Sequence, residues 1–395
     1  MELKKGYQKT EIGVIPQDWD SIHLSNLCRS ICDGTHFTPT YVSNGIPFYS
    51  VENITANDFV NTKFISEAEH ALLIKRCKPE RGDILMTRIT AGIIGDTKLL
   101  DWDVNASIYV SLALLKPNNY VASEFLYRYT KSSAFIRDVE RRALINATPK
   151  KINMSEIGTI PIPVPSNKAE QKIIAASLSD ADELVIGLSK LIAKKRNIKQ
   201  ATMQQLLTGK TRLSGFNEKW DIKQLGDVAH IKTGSRNNED KVADGQYPFF
   251  VRSDSIERIN TFSYECEAIL VPGEGRIGDI FHYINGRFDA HQRVYVISQF
   301  KNEVLGQYIH LYMSQNFGNW AMQNSVKATV DSLRLPTFQT FEMLFPPTAA
   351  EQLAIIKVIS DIENEIAALE KRLEKTRMLK QGMMQELLTG RIRLV

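Results

Sequence analysis

The residues Gly209-Lys210-Thr211, inside "MQQLLTGKTRL" (203–213), have the types that close a phosphate-binding loop. That chemistry needs G-x-x-x-x-G-K-[ST] between a strand and a helix, so that backbone N–H groups wrap the phosphates at the helix start. Here Gln204 stands where the first glycine belongs, and a long helical pattern precedes Gly209. A glycine just past a helix end is a cap. The chain carries its own control: "MQELLTGRIRL" (384–394) repeats the pattern with Arg391-Ile392 in place of Lys210-Thr211. The helix end recurs while the Lys-Thr pair does not, so the motif gives no ground for a nucleotide hydrolase. Cys28, Cys32, Cys77 and Cys266 form no Cys/His set with zinc spacing. They read as ordinary buried thiols in a reduced cytoplasm.

A second group of residues suits recognition. Side chains that tell one base edge from another are Arg, Lys, Asn, Gln, Ser, Thr and His held on structured loops. Thr35 and His36 lie in "CDGTHFTPTY", Arg88 and Thr90 in "MTRITAGIIG", and Lys150 and Lys151 in "NATPKK". Further along, "KTGSRNNEDK" offers Arg236 and Asn237, and Arg252, Arg276, His291 and Arg293 follow. For each of these the competing reading is a structural ion pair or a solvated loop. The net charge is only +4. Bulk attraction to phosphate would therefore not suffice for tight DNA binding, which would need local basic clusters or partner subunits.

The elements that must position these loops come in two copies. Ala169-Glu170-Gln171 recurs as Ala350-Glu351-Gln352, a shift of 181 residues (350 − 169), and the two "LLTG" ends obey the same shift. That period is too long for a solenoid. From 169 to 207 and from 350 to 388 there is no proline, so the spacing predicts two rods of about 58 Å each if fully helical. Apolar residues follow a 4-3-4-3-4 spacing: Ile174, Leu178, Ala181, Val185, Leu188 and Ile192, then Ile355, Ile359, Ile362, Ile366, Leu369 and Leu373. Such a heptad seam packs helix on helix, here antiparallel, because a domain lies between the rods. The competing reading is two amphipathic helices, each lying on its own domain. Lys195, Lys199, Thr376 and Lys380 make the later half of each seam polar, an end that could face a partner protein.

The segments before the rods, 1–165 and 214–345, are also related. Trp19-Asp20 matches Trp220-Asp221, and Ile46-Pro47-Phe48 matches Tyr247-Pro248-Phe249. Each shows short β-branched strands with glycine turns, one helix (about 121–143 and 303–325) and a proline-rich exit, an α+β pattern with a curved sheet. The copies diverge where polar loops fall, at 33–40 and 86–95 against 233–241 and 272–281. A composition of 43% hydrophobic and 24% charged residues is that of an ordinary soluble protein. No apolar run approaches the ~20 residues of a membrane span, and the N-terminus lacks a signal-peptide core.

The order domain–rod–domain–rod resembles the specificity (S) subunit of Type I restriction–modification systems. The resemblance rests on "GYQKTEIGVIPQDW" (6–19), the doubled "AEQ" and "LLTG", and "GRIGDIFHYINGRFDAHQRVYVI" (275–297), and it covers essentially the whole chain. It implies an α+β protein with two target recognition domains, separated and joined by two long antiparallel coiled-coil helices, in a pseudo-twofold internal repeat. The expected boundaries are 1–165 for the first recognition domain, 166–213 for the first helical region, 214–345 for the second recognition domain and 346–395 for the second helical region. The resemblance further implies a chain that binds double-stranded DNA at two half-sites with an unspecified spacer, and that carries no catalysis of its own. Two methyltransferase (M) subunits would dock on it, and restriction (R) subunits could join. S-adenosylmethionine, ATP and Mg would belong to those partners, with no cofactor or metal bound by this chain. The sequence fits that role: it has no [NDS]-P-P-[YFW] adenine-methylation motif, only "FPPT" (345–348). The alternative is a stand-alone DNA-binding regulator with a coiled-coil interaction surface.

Overall fold

A computed structural model describes residues 5–301, 303–325 and 332–394. Two helices dominate it, Lys168–Leu207 and Ala349–Leu387. Both start on a polar side chain. Asn167 Oδ1 accepts the Ala169 N–H at 2.9 Å, and Thr348 Oγ1 accepts the Glu351 N–H at 3.4 Å. Both end as the sequence predicts. Gly209 and Gly390 adopt φ of +67° and +70°, and the N–H groups of Thr211 and Ile392 return to the carbonyls of Gln205 and Glu386. This six-residue return is a Schellman ending, and it is what Gly-Lys-Thr builds here.

The chain divides into two compact units, 1–188 with 372–395 and 189–371. The division cuts through both rods, so each unit is one domain with half of each rod. Within the second unit the halves run antiparallel, pinned by Lys195–Glu365 at 2.7 Å, Arg196–Glu370 at 2.5 Å and Lys199–Glu363 at 2.6 Å. Within the first unit Lys380 pairs with Asp182. Lys195, Lys199 and Lys380 are thus ion-paired between the rods, and Thr376 is buried.

The seam itself is more divided than the heptad reading. Leu188, Ile192, Ile366 and Leu373 are buried along the rods, and Val185 and Leu369 are half-buried. Ile174 and Leu178 instead join the first domain's core with Trp19, Phe125 and Leu388, and Ile355 and Ile359 join the second's with Leu207, Tyr308 and Phe345. The start of each rod therefore lies on a domain, as the competing reading had it, while the middle packs rod on rod.

The "AEQ" motif fastens these starts. Gln171 Oε1 accepts the Ala122 N–H and Nε2 donates to the Pro165 carbonyl, while Gln352 does the same for Leu305 N–H and Glu303 O. Glu170 and Glu351, both buried, take the guanidinium that follows the other rod's cap: Arg393 on Glu170, and Arg212 on Glu351 at 2.6 and 2.9 Å. The first proline-rich exit becomes a strand, and the second directly follows one. Pro161–Pro165 pairs antiparallel with Trp19–His23, and Glu342–Phe345 with Asp221–Gln224. Alternate prolines put every missing N–H on one edge, leaving Ile162 and Val164 to bond.

In the first domain the strands Thr97–Leu99, Ile84–Thr87, Leu112–Pro117 and Cys28–Asp33 form an antiparallel sheet in that order. Beside it Ile46–Tyr49 runs parallel to Ser107–Ile108. The second domain repeats the plan with one sheet of six strands, because His282–Ala290 runs unbroken through both halves. The helix expected near 121–143 is two helices, Ser123–Thr130 and Ser133–Arg142. Ser132 stops the first and caps the second, accepting the Phe135 N–H. Its counterpart, Gly306–Gln323, is continuous. Among the cysteines, Cys28 is a buried thiol whose pKa burial pushes up to about 12. Cys32 and Cys77 are not free thiols: they form a disulfide, with Cα atoms 6.1 Å apart.

Candidate nucleic-acid interface

The loops singled out above sit on one backbone frame that occurs twice. After Cys28–Asp33, Gly34 lies so close to the neighbouring chain that a Cβ would stand 2.0 Å from the Ile108 carbonyl. Gly234, after His230–Thr233, would meet the Ala290 carbonyl at 2.2 Å. Only glycine passes at that distance. The chain then bridges in parallel, Thr35 to Tyr109 and Arg236 to His291. The hydrogen bonds match pair by pair. Thr35 N–H donates to Ile108 O and Arg236 N–H to Ala290 O; Val110 N–H donates to Thr35 O and Gln292 N–H to Arg236 O. Tyr109 N–H donates to Tyr49 O and His291 N–H to Phe250 O. Arg88 N–H reaches Ser111 O where Gly273 N–H reaches Arg293 O.

On this shared frame the side chains differ: Thr35 against Arg236, Tyr109 against His291, Ser111 against Arg293, Arg88 against Gly273. An arginine is barred from the last position in the second domain, where a Cβ at Gly273 would stand 2.8 Å from the Tyr295 ring.

In the first domain the network centres on Asp33, a carboxylate whose side chain is 7% exposed. Arg88 Nη1 donates to its Oδ2 at 2.8 Å, Arg76 Nη2 to its Oδ1 at 2.5 Å, and His36 Nε2 lies 2.9 Å from Oδ2. Arg88 departs from the expectation of an open loop side chain. It is 8% exposed and also donates to the Val110 and Ile152 carbonyls. Thr35 and Thr90 are buried as well, Thr90 Oγ1 accepting the Gly92 N–H at 2.9 Å. His36 is exposed. Lys150 and Lys151 form a short strand on Ile89–Thr90, and neither has an ion-pair partner among the described residues. The sequence reading missed Asp33 and Arg76. Arg76 lies in the turn that follows the helix Glu67–Leu73, outside the loops, and only the fold brings it to Asp33.

In the second domain Glu274 holds two arginines, Arg293 at 3.1 Å and Arg252 at 3.5 Å. Arg276 pairs with Asp254 and, at 3.6 Å, with Asp279. Arg236 Nε donates to buried Asp289 at 3.1 Å, and Asn237 is exposed. Asp331 and Ser332 align with Lys150 and Lys151; Asp331 lies outside the described residues, and Ser332 bridges antiparallel to Glu274. His291 is buried, and its Nδ1 accepts the Arg293 N–H at 3.0 Å, which places any single ring proton on Nε2.

His291 and His310 both hold their pKa below the ordinary imidazole value. Burial is the first cause in each, with Arg252 and Arg293 adding repulsion at His291. The unfolded chain therefore binds these protons more readily than the folded one. This contribution to stability is intact above about 6.5 and is lost as the pH falls below it. Urea midpoints should drop from about pH 7.5 to about 5.5, and His310→Gln, which keeps a donor for the Phe281 carbonyl, should blunt the drop. Equal slopes in the two proteins would contradict this.

A doubled α+β domain carrying paired polar loops on two long helices is the architecture of a recognition protein built by duplication. The chain belongs to the Type I restriction modification DNA specificity domain family, whose model matches residues 16–200 and again 217–376. Relatives span its full length. The specificity subunit assigned to the MjaX type I restriction enzyme of Methanocaldococcus jannaschii is 25% identical, covering 99% of this chain and 97% of its own. The EcoKI specificity subunit of Escherichia coli is 22% identical over 96% and 90%. In fold, the chain is similar to the Type I restriction–modification S subunit from M. genitalium (TM-score 0.61, 16% identity, 98% of both chains). It is equally similar to a chain from a study of assembly and conformational transition in the type I R-M system (TM-score 0.61, 15% identity). The family match leaves the stand-alone regulator without support. No described helix is long and apolar enough to cross a membrane.

Proposed function

We propose that this chain is the non-catalytic specificity subunit of a Type I restriction–modification complex. It reads two short half-sites of double-stranded DNA, one per domain, across a spacer of unspecified bases. The observation that supports this reading is the repeated frame with exchanged side chains: identical backbone bonding at Thr35/Arg236 and Tyr109/His291 presents different chemistry twice. Thr35, His36, Arg88, Thr90, Lys150 and Lys151 belong to one reading surface. Arg236, Asn237, Arg252, Arg276, His291 and Arg293 belong to the other. Buried members brace the exposed ones, and base edges are met by the exposed ones. Lys150 and Lys151 suit phosphates. Two methyltransferase subunits bind the chain and supply S-adenosylmethionine chemistry at adenine, and restriction subunits bring ATP and Mg. The complex works in the cytoplasm, where the DNA is.

The test is to co-express the chain with its methyltransferase subunits and sequence modified adenines genome-wide. A bipartite word, absent without this chain, is the expected result. Modification independent of the chain, or at one continuous word, would overturn the reading.

A further inference from the structure

We infer that Arg76, held by Asp33, is the residue that reads a guanine in the half-site of the first domain, and that buried Arg88 is the positioning residue behind it. This rests on the DNA-reading function proposed above. Arg76 is outside every loop that differs between the two copies, so sequence comparison does not point to it.

The geometry does. Arg76 is 59% exposed, yet one of its guanidinium nitrogens is fixed 2.5 Å from Asp33. A guanidinium has five N–H donors, so those not spent on Asp33 stay free to form a fork. A fork of that kind is the common partner of guanine O6 and N7. Holding one edge with a carboxylate removes rotamer freedom before binding, which lowers the cost of presenting the other edge.

The support is unusually firm for a surface arginine. Asp33 cannot swing away, because its other oxygen carries Arg88, and Arg88 is locked by the Val110 and Ile152 carbonyls. Cys32 and Cys77, the chain neighbours of Asp33 and Arg76, lie side by side with Cα atoms 6.1 Å apart, so the backbone segments beneath both partners are packed against each other. Arg76 and His36 flank a cleft of about 400 Å³ with Phe37 and Leu72 on its rim, both largely exposed. An apolar rim around a charged fork excludes water and strengthens each hydrogen bond made inside it.

The experiment uses the complex with its methyltransferase subunits and three variants: Arg76→Ala, Arg76→Lys and Lys150→Ala. Arg76 is exposed and Lys150 half-buried, and loss of either leaves no buried charge unpaired, because Asp33 keeps Arg88. Genome-wide adenine methylation should show that Arg76→Ala relaxes one position of one half-site, a guanine in the wild-type word, and leaves the other half-site unchanged. Binding to the wild-type site should fall roughly 5- to 150-fold relative to a site altered at that base. Arg76→Lys keeps the charge and loses the fork, so it should show the same relaxation with non-specific affinity retained. Lys150→Ala should weaken all sequences equally and flatten the salt dependence. An unchanged word in Arg76→Ala, relaxation at a base pair without guanine, or behaviour like Lys150→Ala would overturn the inference and leave the proposed function standing. If the wild-type complex modifies no bipartite word, the proposed function fails and takes this inference with it.

Discussion

Arg212→Ala will destabilise the second unit by about 3–5 kcal/mol, more than most surface substitutions could. Glu351 is 1% exposed, and Arg212 meets both its oxygens, Nε at 2.6 Å and Nη2 at 2.9 Å. Without the guanidinium the carboxylate keeps, among the described residues, only the Trp220 Nε1–H donor at 3.1 Å. A buried charge stripped of its counter-ion costs more than the ion pair ever contributed. The double variant Arg212→Ala with Glu351→Ala should therefore lose less than Arg212→Ala alone. Arg393→Ala should act the same way on the first unit, where buried Glu170 depends on it. Urea unfolding followed by helical circular dichroism gives the magnitudes, and hydrogen exchange at 349–359 localises the loss. If the double variant is the less stable one, the clamp is not the cause.

That clamp marks where sequence reading stops. The doubled "AEQ" and "LLTG" located the rods nearly to the residue, because proline-free heptads and cap glycines are local signals. The function of the glutamate and glutamine was not legible. Their partners, Arg212 on Glu351 and Leu305 on Gln352, are far away in the chain and are brought near only by folding. The α+β frame was legible from strand and turn chemistry. The break at Ser132 was not, since either a continuous or a split helix satisfies the periodicity. The candidate site divided the same way. Loops with Gly, Thr, His and Arg were found from residue types. Which arginine is buried was not, because Arg88 and Arg76 look alike as letters and differ only in what surrounds Asp33. The disulfide escaped because Cys32 and Cys77 stand 45 residues apart, with no spacing rule to join them.

Exchanging residues 221–345 for the matching segment of a relative should replace one half of the methylated word and leave the other half unaltered. The boundary follows from the packing. Met203, Leu206 and Leu207 of one rod and Ile355, Ile356 and Ile359 of the other share a core with Trp220, Tyr308, Phe317 and Phe338. A cut after Trp220 keeps the Arg212–Glu351–Trp220 cluster native. Gln352 then binds its graft through the Leu305 N–H and the Glu303 carbonyl, backbone groups that any donor with the same turn supplies. The graft must still present an apolar face to the six rod residues, so a donor with large residues near 308, 317 and 338 is required. A poor match leaves cavities that cost stability before they alter reading. A well-matched hybrid should methylate with the donor's second word beside the native first word. Asp33, Arg76 and Arg88 are outside the graft, so the first word has no reason to move. Methylome sequencing of the hybrid decides it. If both words change together, the two domains do not read independently, and the repeated frame is a relic of duplication rather than two separate readers.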